Sequence, residues 1–189
     1  TFVGNEKRWR KYIHSSIVDP AIENDVLQTT RIYKPSLLRS LFDLGCSYSG
    51  DLLSYNKIVG QLQEKGSIVT IANYLQVLDE SNLLAGIQKF AGDIARQYQS
   101  TPKFQVFNNA LLSAYQGHGM DKEMMKPERW GRWVESAVGS HLLNNAEEDE
   151  YSVYYWRERD AEVDYVLQFR DGQTLAIEVK TGRRSDNKG

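Results

Sequence analysis

Two runs near the end of the chain, AEVDYVLQF at 161–169 and QTLAIEVK at 173–180, each alternate apolar and polar residues, and only Arg170-Asp171-Gly172 lies between them. Side chains alternate between the two faces of a strand. Val163, Tyr165, Leu167 and Phe169 therefore share one apolar face, and Leu175, Ile177 and Val179 share another. Opposed residues of an antiparallel pair point to the same side, so the two sets meet on one core only if the loop holds an odd number of residues. A two-residue Asp171-Gly172 turn is excluded. The three-residue loop satisfies the parity and places glycine where a type I turn followed by a bulge needs a left-handed backbone. The register then opposes Phe169 with Gln173, Leu167 with Leu175, Tyr165 with Ile177 and Asp164 with Glu178.

That last pair carries chemistry. Cβ atoms of opposed residues lie about 4.5–5.5 Å apart, and like charges there destabilise a sheet unless a cation or a raised pKa compensates. Two readings fit. In the first, a hard divalent cation sits at Asp164 and Glu178, because magnesium takes one or two carboxylates together with water and substrate phosphate. Lys180, on the same face, then orients the attacking water and stabilises charge developing on a phosphate. In the second, the polar side of the hairpin faces solvent and Lys180 offsets its carboxylates.

The rest of the chain supplies helices first. Glu6 to Asp51 has helical apolar spacing, with Pro35 where a helix starts. Two helical segments follow, SYNKIVGQLQ capped by Ser54 and SIVTIANYLQVLDESNLL capped by Ser67 or Thr70. Ile71, Leu75 and Leu78 form the buried face of the second, so the two make a helix-turn-helix, with a short strand or wing expected from Gly86–Ile87 onward. A boundary at Gln99-Ser100-Thr101-Pro102 divides the chain into 1–101 and 102–189. The second part opens with a strand, KFQVF, and a short helix. A longer helix over Trp130 to Leu143 follows, whose apolar stripe of Trp130, Val134, Ala137, Val138 and Leu142 takes His141 into the core. Three strands close it.

Charge and composition limit the partners. With a formal net charge of -2 there is no overall field to draw in a polyanion, so contact with nucleic acid must be local. Lys57, Lys65 and Lys89 beside the helix-turn-helix, and Arg183 and Arg184 beside the hairpin, are the candidate nucleic-acid contacts. The outward side of the second helix offers only Thr70, Asn73, Gln76 and Glu80, which leaves DNA contact and protein docking both open for this half. Lys7, Arg8, Arg10 and Lys11 form a basic cluster suited to contact with a further domain. Cys46 is the sole cysteine, no apolar run spans a bilayer and no signal peptide opens the chain, so a cytoplasmic protein without membrane contact is expected. Nothing in the sequence sets the oligomeric state.

Val163-Asp164 on one strand and Glu178-Val179-Lys180 on the next resemble the PD-(D/E)XK nuclease superfamily, and Glu135 in GRWVESAVGSHL resembles the further acid that its preceding helix provides. The order of segments as a whole resembles the C-terminal region of bacterial and archaeal predicted AAA-type ATPases, a domain of unknown function after the ATP-hydrolysing module. The resemblance implies an α/β (α+β) chain, winged-helix-like at first and then a restriction-endonuclease-like mixed sheet flanked by helices, cut short after Lys180. It implies Asp164, Glu178, Lys180 and Glu135 as the catalytic set, Asp164 and Glu178 as ligands of Mg2+ or Mn2+, and DNA as substrate. ATP belongs to the implied upstream module; this chain has no G-x-x-x-x-G-K-[ST] and is not expected to hydrolyse ATP. The alternative is a non-catalytic module that binds DNA or protein and targets or regulates that ATPase.

Overall fold

The first half is helical, and its caps are those the sequence offers. In the computed structural model, which describes residues 5–93, 97, 100–115 and 124–181, the Asn5 side chain accepts the Arg8 N–H and starts α1 (Glu6–Ile13). Two π-helical segments, His14–Val18 and Ala21–Val26, continue it, and they bury Val18, Ile22 and Val26, spaced four apart. α2 (Pro35–Ser47) begins on proline, whose missing N–H costs nothing in a first turn. Ser54 caps α3 (Tyr55–Gln61), and Ser67 rather than Thr70 caps α4 (Ile68–Glu80), accepting the Thr70 N–H at 3.1 Å. Ile71, Leu75 and Leu78 are buried, as their spacing requires.

Strands then close this part. β1 (Leu84–Ile87) and β2 (Lys103–Val106) pair antiparallel, Leu84 opposite Val106 and Ile87 opposite Lys103. Leu52, before α3, bridges to Lys103 on the other side of β2. Helix, bridge, two helices and two paired strands follow the winged-helix order. One core joins Leu37, Leu38, Leu41 and Phe42 of α2 to the α4 face and to Phe104 and Val106. Each such side chain contributes about 1.5–3 kcal/mol on burial. β2, which follows the boundary expected at residue 101, pairs with β1 across it.

The remaining elements are α5 (Asn109–Tyr115), α6 (Pro127–Asn145) and the strands β3 (Tyr151–Glu158), β4 (Ala161–Phe169) and β5 (Thr174–Ile177), which form one antiparallel sheet in that order. β4 carries a bulge, Asp164 and Tyr165 together standing opposite Tyr155, and the Tyr155 backbone is left unpaired with β4. Its N–H instead donates to the Gln88 carbonyl at 3.1 Å and its carbonyl accepts from Phe90 at 2.6 Å, an isolated parallel bridge that ties this antiparallel sheet to the segment after β1. The β4–β5 hairpin has the register that loop parity dictates: Leu167 opposite Leu175, Tyr165 opposite Ile177, and Phe169 donating to the Gln173 carbonyl at 2.9 Å. Gly172 has φ +86°, the left-handed turn position.

Two expectations are corrected here. α6 buries Trp133, Ser136, Gly139, Ser140 and Leu142, not the stripe of Trp130, Val134, Ala137 and Val138, and His141 is exposed rather than in the core. The buried face is polar because it receives Gln105, whose amide nitrogen donates to the Ser136 carbonyl at 2.8 Å, and the Tyr165 hydroxyl, 3.0 Å from Gln105 Oε1. A Cβ on Gly139 would overlap both of those side chains. Leu175, expected on the core face of β5, is half exposed because no strand lies beyond it among the described residues.

Candidate functional site

A cleft of about 740 Å³ separates the winged-helix part from β3 and β4. Tyr48, Asp51 and Lys57 line it from the first part, and Trp156, Arg157 and Glu162 from the second. Lys103, Glu135 and Asp164 complete it, so it collects residues from β2, α6 and β4. The lining holds Lys57, Lys103 and Arg157 against Asp51, Glu135, Glu162 and Asp164. A phosphate entering it meets more carboxylate than cation, which gives an added divalent ion a clear electrostatic purpose.

Lys103 organises the inner part. All four residues of β2 are buried, and the Lys103 ammonium has three protein partners. It forms a charge-assisted hydrogen bond with the Glu135 carboxylate, donates to the backbone carbonyl of Asp164 at 3.0 Å, and lies 4.4 Å from the centre of the Tyr165 ring. The Tyr165 hydroxyl lies 2.8 Å from the Glu135 carbonyl, so both ends of Glu135 are held. Burial raises the Glu135 pKa, the Lys103 ammonium works against that rise, and the Asp164 charge adds to it.

Asp164 also organises the turn away from the sheet. Its Oδ2 accepts the Val179 N–H at 2.7 Å, so beyond Ile177 a side chain takes the place of a ladder carbonyl. The paired register ends at Tyr165 opposite Ile177, and Glu178, the next residue, is ion-paired with exposed Lys180. That hydrogen bond to Glu178 raises the Lys180 pKa, which favours the charged ammonium.

The structure thus brings Asp164 and Glu135 to the cleft, with Lys57 on its wall, and holds Glu178 and Lys180 beside Asp164 through Val179. Lys65 lies apart in the α3–α4 loop, where its carbonyl accepts from Lys34 at 2.7 Å, and Lys89 sits in the segment that bridges to β3. Arg183 and Arg184 lie outside the described residues. The sequence reading missed Lys103. Its only trace there is a lysine, with Gln105, inside an otherwise apolar strand.

The donor chemistry offers at most two carboxylates, Asp164 and Glu178, and Glu178 is paired with Lys180. Magnesium and manganese commonly take one or two carboxylates together with water. Among the described residues no group of three His, Cys, Asp or Glu side chains is arranged to hold a metal, and Glu135 is engaged by Lys103. A cage made wholly of protein, of the kind that closes a structural zinc site, does not fit.

Fold and site define a winged-helix-like half packed against a three-stranded antiparallel sheet, with the buried lysine of β2 reaching the Asp164 carbonyl of β4. A family described as domain of unknown function (DUF8612) matches residues 2–122, more than half of the chain, and the chain belongs to that family. A second, domain of unknown function (DUF4143), matches residues 130–189. No curated protein and no solved structure matches. Among the described residues no helix is long and apolar enough to cross a membrane.

Proposed function

We propose that this chain is the C-terminal part of a cytoplasmic AAA-type ATPase, and that its second half is a nuclease-like domain that hydrolyses DNA phosphodiesters with a divalent metal. The observation that carries the proposal is the hydrogen bond from the Val179 N–H to Asp164, which holds the segment of Glu178 and Lys180 against Asp164 at a cleft that Glu135 also lines. The order of one helix and three antiparallel strands, with the acids on the helix, on the second strand and just past the third, supports the resemblance to PD-(D/E)XK nucleases.

Magnesium or manganese, when held by Asp164 and Glu178, supplies the positive charge that a phosphodiester lacks beside these carboxylates and lowers the pKa of its own water. The chain does the rest. The Val179 N–H fixes the Asp164 carboxylate, and the Lys180 ammonium offers charge to the phosphate oxygens. Lys57 and Arg157 flank the strand path, and Trp156 gives a base a face to stack on. ATP binds in the upstream module, and the winged-helix part connects the two.

A second reading has an observation of its own. Each acid already has a protein partner: Glu135 has Lys103, Glu178 has Lys180, and Asp164 has the Val179 N–H. That arrangement also suits a non-catalytic module that binds DNA or protein and directs the ATPase. Cleavage assays on the full-length protein with DNA and Mg2+ or Mn2+ separate the two. Catalysis predicts that Asp164→Ala and Lys180→Ala lower the rate by at least roughly 100-fold. Equal rates in wild type and both variants reject the site, and DNA binding without metal-dependent cleavage selects the second reading.

A further inference from the structure

The acid nearest to Asp164 on the helical side is tied to a cation that comes from the other half of the chain. Lys103 lies on β2, which pairs with β1 and bridges to Leu52, so its backbone is fixed by the winged-helix part. Its side chain crosses to the sheet and, 94% or more shielded, ends between the Glu135 carboxylate and the Asp164 carbonyl, above the Tyr165 ring. A buried ammonium keeps its charge only where carboxylate and carbonyl oxygens replace the water it loses. Glu135 supplies the carboxylate. The Tyr165 hydroxyl, shared between the Glu135 carbonyl and Gln105, keeps that stretch of α6 in place against β2 and β4.

We propose that Glu135 is the permanent counter-ion of Lys103 and no metal ligand, and that Lys103 is a positioning residue through which the winged-helix half sets the place of Asp164. The inference rests on the metal-site reading above only in what it says of ligands; the ion pair itself stands apart from that reading. It departs from the role the resemblance implies for Glu135. A carboxylate bound to a buried ammonium leaves that partner only by stranding a charge away from water. The divalent ion is therefore left with Asp164 and Glu178, and the acid of α6 serves the site by holding the lysine. The candidate site is in consequence a joint product of both halves, since the β2 backbone locates the ammonium that grips the β4 backbone at Asp164.

Two measurements on the full-length protein test this. In the first, Mn2+ binding is followed by electron paramagnetic resonance for wild type, Glu135→Gln and Asp164→Asn. Glutamine keeps an oxygen for Lys103 to donate to, so Glu135→Gln is expected to bind Mn2+ within about twofold of wild type, whereas Asp164→Asn binds at least about tenfold more weakly. A tenfold loss in Glu135→Gln overturns the proposal by making Glu135 a ligand. In the second, thermal unfolding is compared for Lys103→Met, Glu135→Gln and the double variant, without metal. A Tm loss in the double variant smaller than the sum of the two single losses is expected for a coupled pair, and additive losses overturn the proposal. If Asp164→Asn binds Mn2+ as wild type does, the metal-site reading fails, and the unfolding cycle alone decides on Lys103 and Glu135.

Discussion

Asp164 accepts the Val179 N–H at 2.7 Å, so the residue that heads the candidate site is also the one that ends the β4–β5 ladder. In a regular ladder that N–H would face a backbone carbonyl of β4. Here it reports on the side chain instead. Asp164→Ala removes the acceptor and should speed exchange of the Val179 amide hydrogen by about tenfold or more relative to the amides of Tyr165 and Leu167. Asp164→Asn keeps an oxygen and should leave Val179 protected while weakening any metal site. Hydrogen exchange read by NMR checks both, and a Val179 amide still protected in Asp164→Ala would show that something other than Asp164 holds the segment.

The hairpin was legible because parity is local arithmetic: an odd loop, a glycine at its third position and two alternating runs leave one register. The helix caps at Ser54 and Ser67 were legible for the same reason. What escaped the sequence is packing between distant segments. Periodicity counts apolar residues, so it chose the Trp130–Val134–Val138 side of α6, whereas the helix turns Ser136, Gly139 and Ser140 inward to meet Gln105 and Tyr165. Ser140 donates to the Val106 carbonyl at 2.8 Å, and Ser49 and Ser136 lie 2.7 Å apart, oxygen to oxygen. A polar face that takes most of its partners from distant segments has no periodic signature. Lys103 was missed on the same ground, since its partners Glu135 and Asp164 are 32 and 61 residues along the chain. Of the candidate site, Asp164, Glu178 and Lys180 came from the hairpin and Glu135 from resemblance, but the lysine that binds two of these residues together came only from the structure.

That buried polar face makes a sharp prediction about two helical glycines. A methyl group at Gly139 would overlap the Gln105 and Tyr165 side chains, whereas one at Gly60 in α3 would meet open space. Gly139→Ala should destabilise the protein by about 1–3 kcal/mol through overpacking and lost hydrogen bonds. Gly60→Ala should stabilise it by about 0.5–1 kcal/mol, because alanine loses less backbone freedom in a helix. Urea unfolding of both variants tests the contrast. Equal effects would mean that α6 has room against β2 and β4.

Gly172 tests the turn that sets the register. At φ +86° an L side chain is strained, although nothing crowds the position. Gly172→Ala should therefore cost about 1–2 kcal/mol from backbone strain alone. Gly172→Asn should recover part of that, since asparagine tolerates the left-handed region better. Urea midpoints give the order. A loss as large for asparagine as for alanine would place the cost elsewhere than in φ.

Cys46 offers a probe of the first core that leaves the site untouched. It sits on the buried face of α2, fully shielded, within the cluster that includes Leu41, Phe42 and Leu84. Burial pushes its thiol pKa well up, and the neighbouring Asp43 charge adds to the rise. The thiolate is the reactive form, so raising the pH to 8 or so should not by itself make the folded protein react with an aromatic disulfide reagent. Labelling should proceed only as fast as α2 opens, and should rise steeply in urea at the same midpoint as the loss of helical circular dichroism. Lys103→Met disturbs β2, whose neighbour Phe104 belongs to the same core, so it should speed Cys46 labelling, whereas Lys180→Ala, out in solvent, should not. Fast labelling of the untouched protein in buffer would mean that α2 is not packed as described.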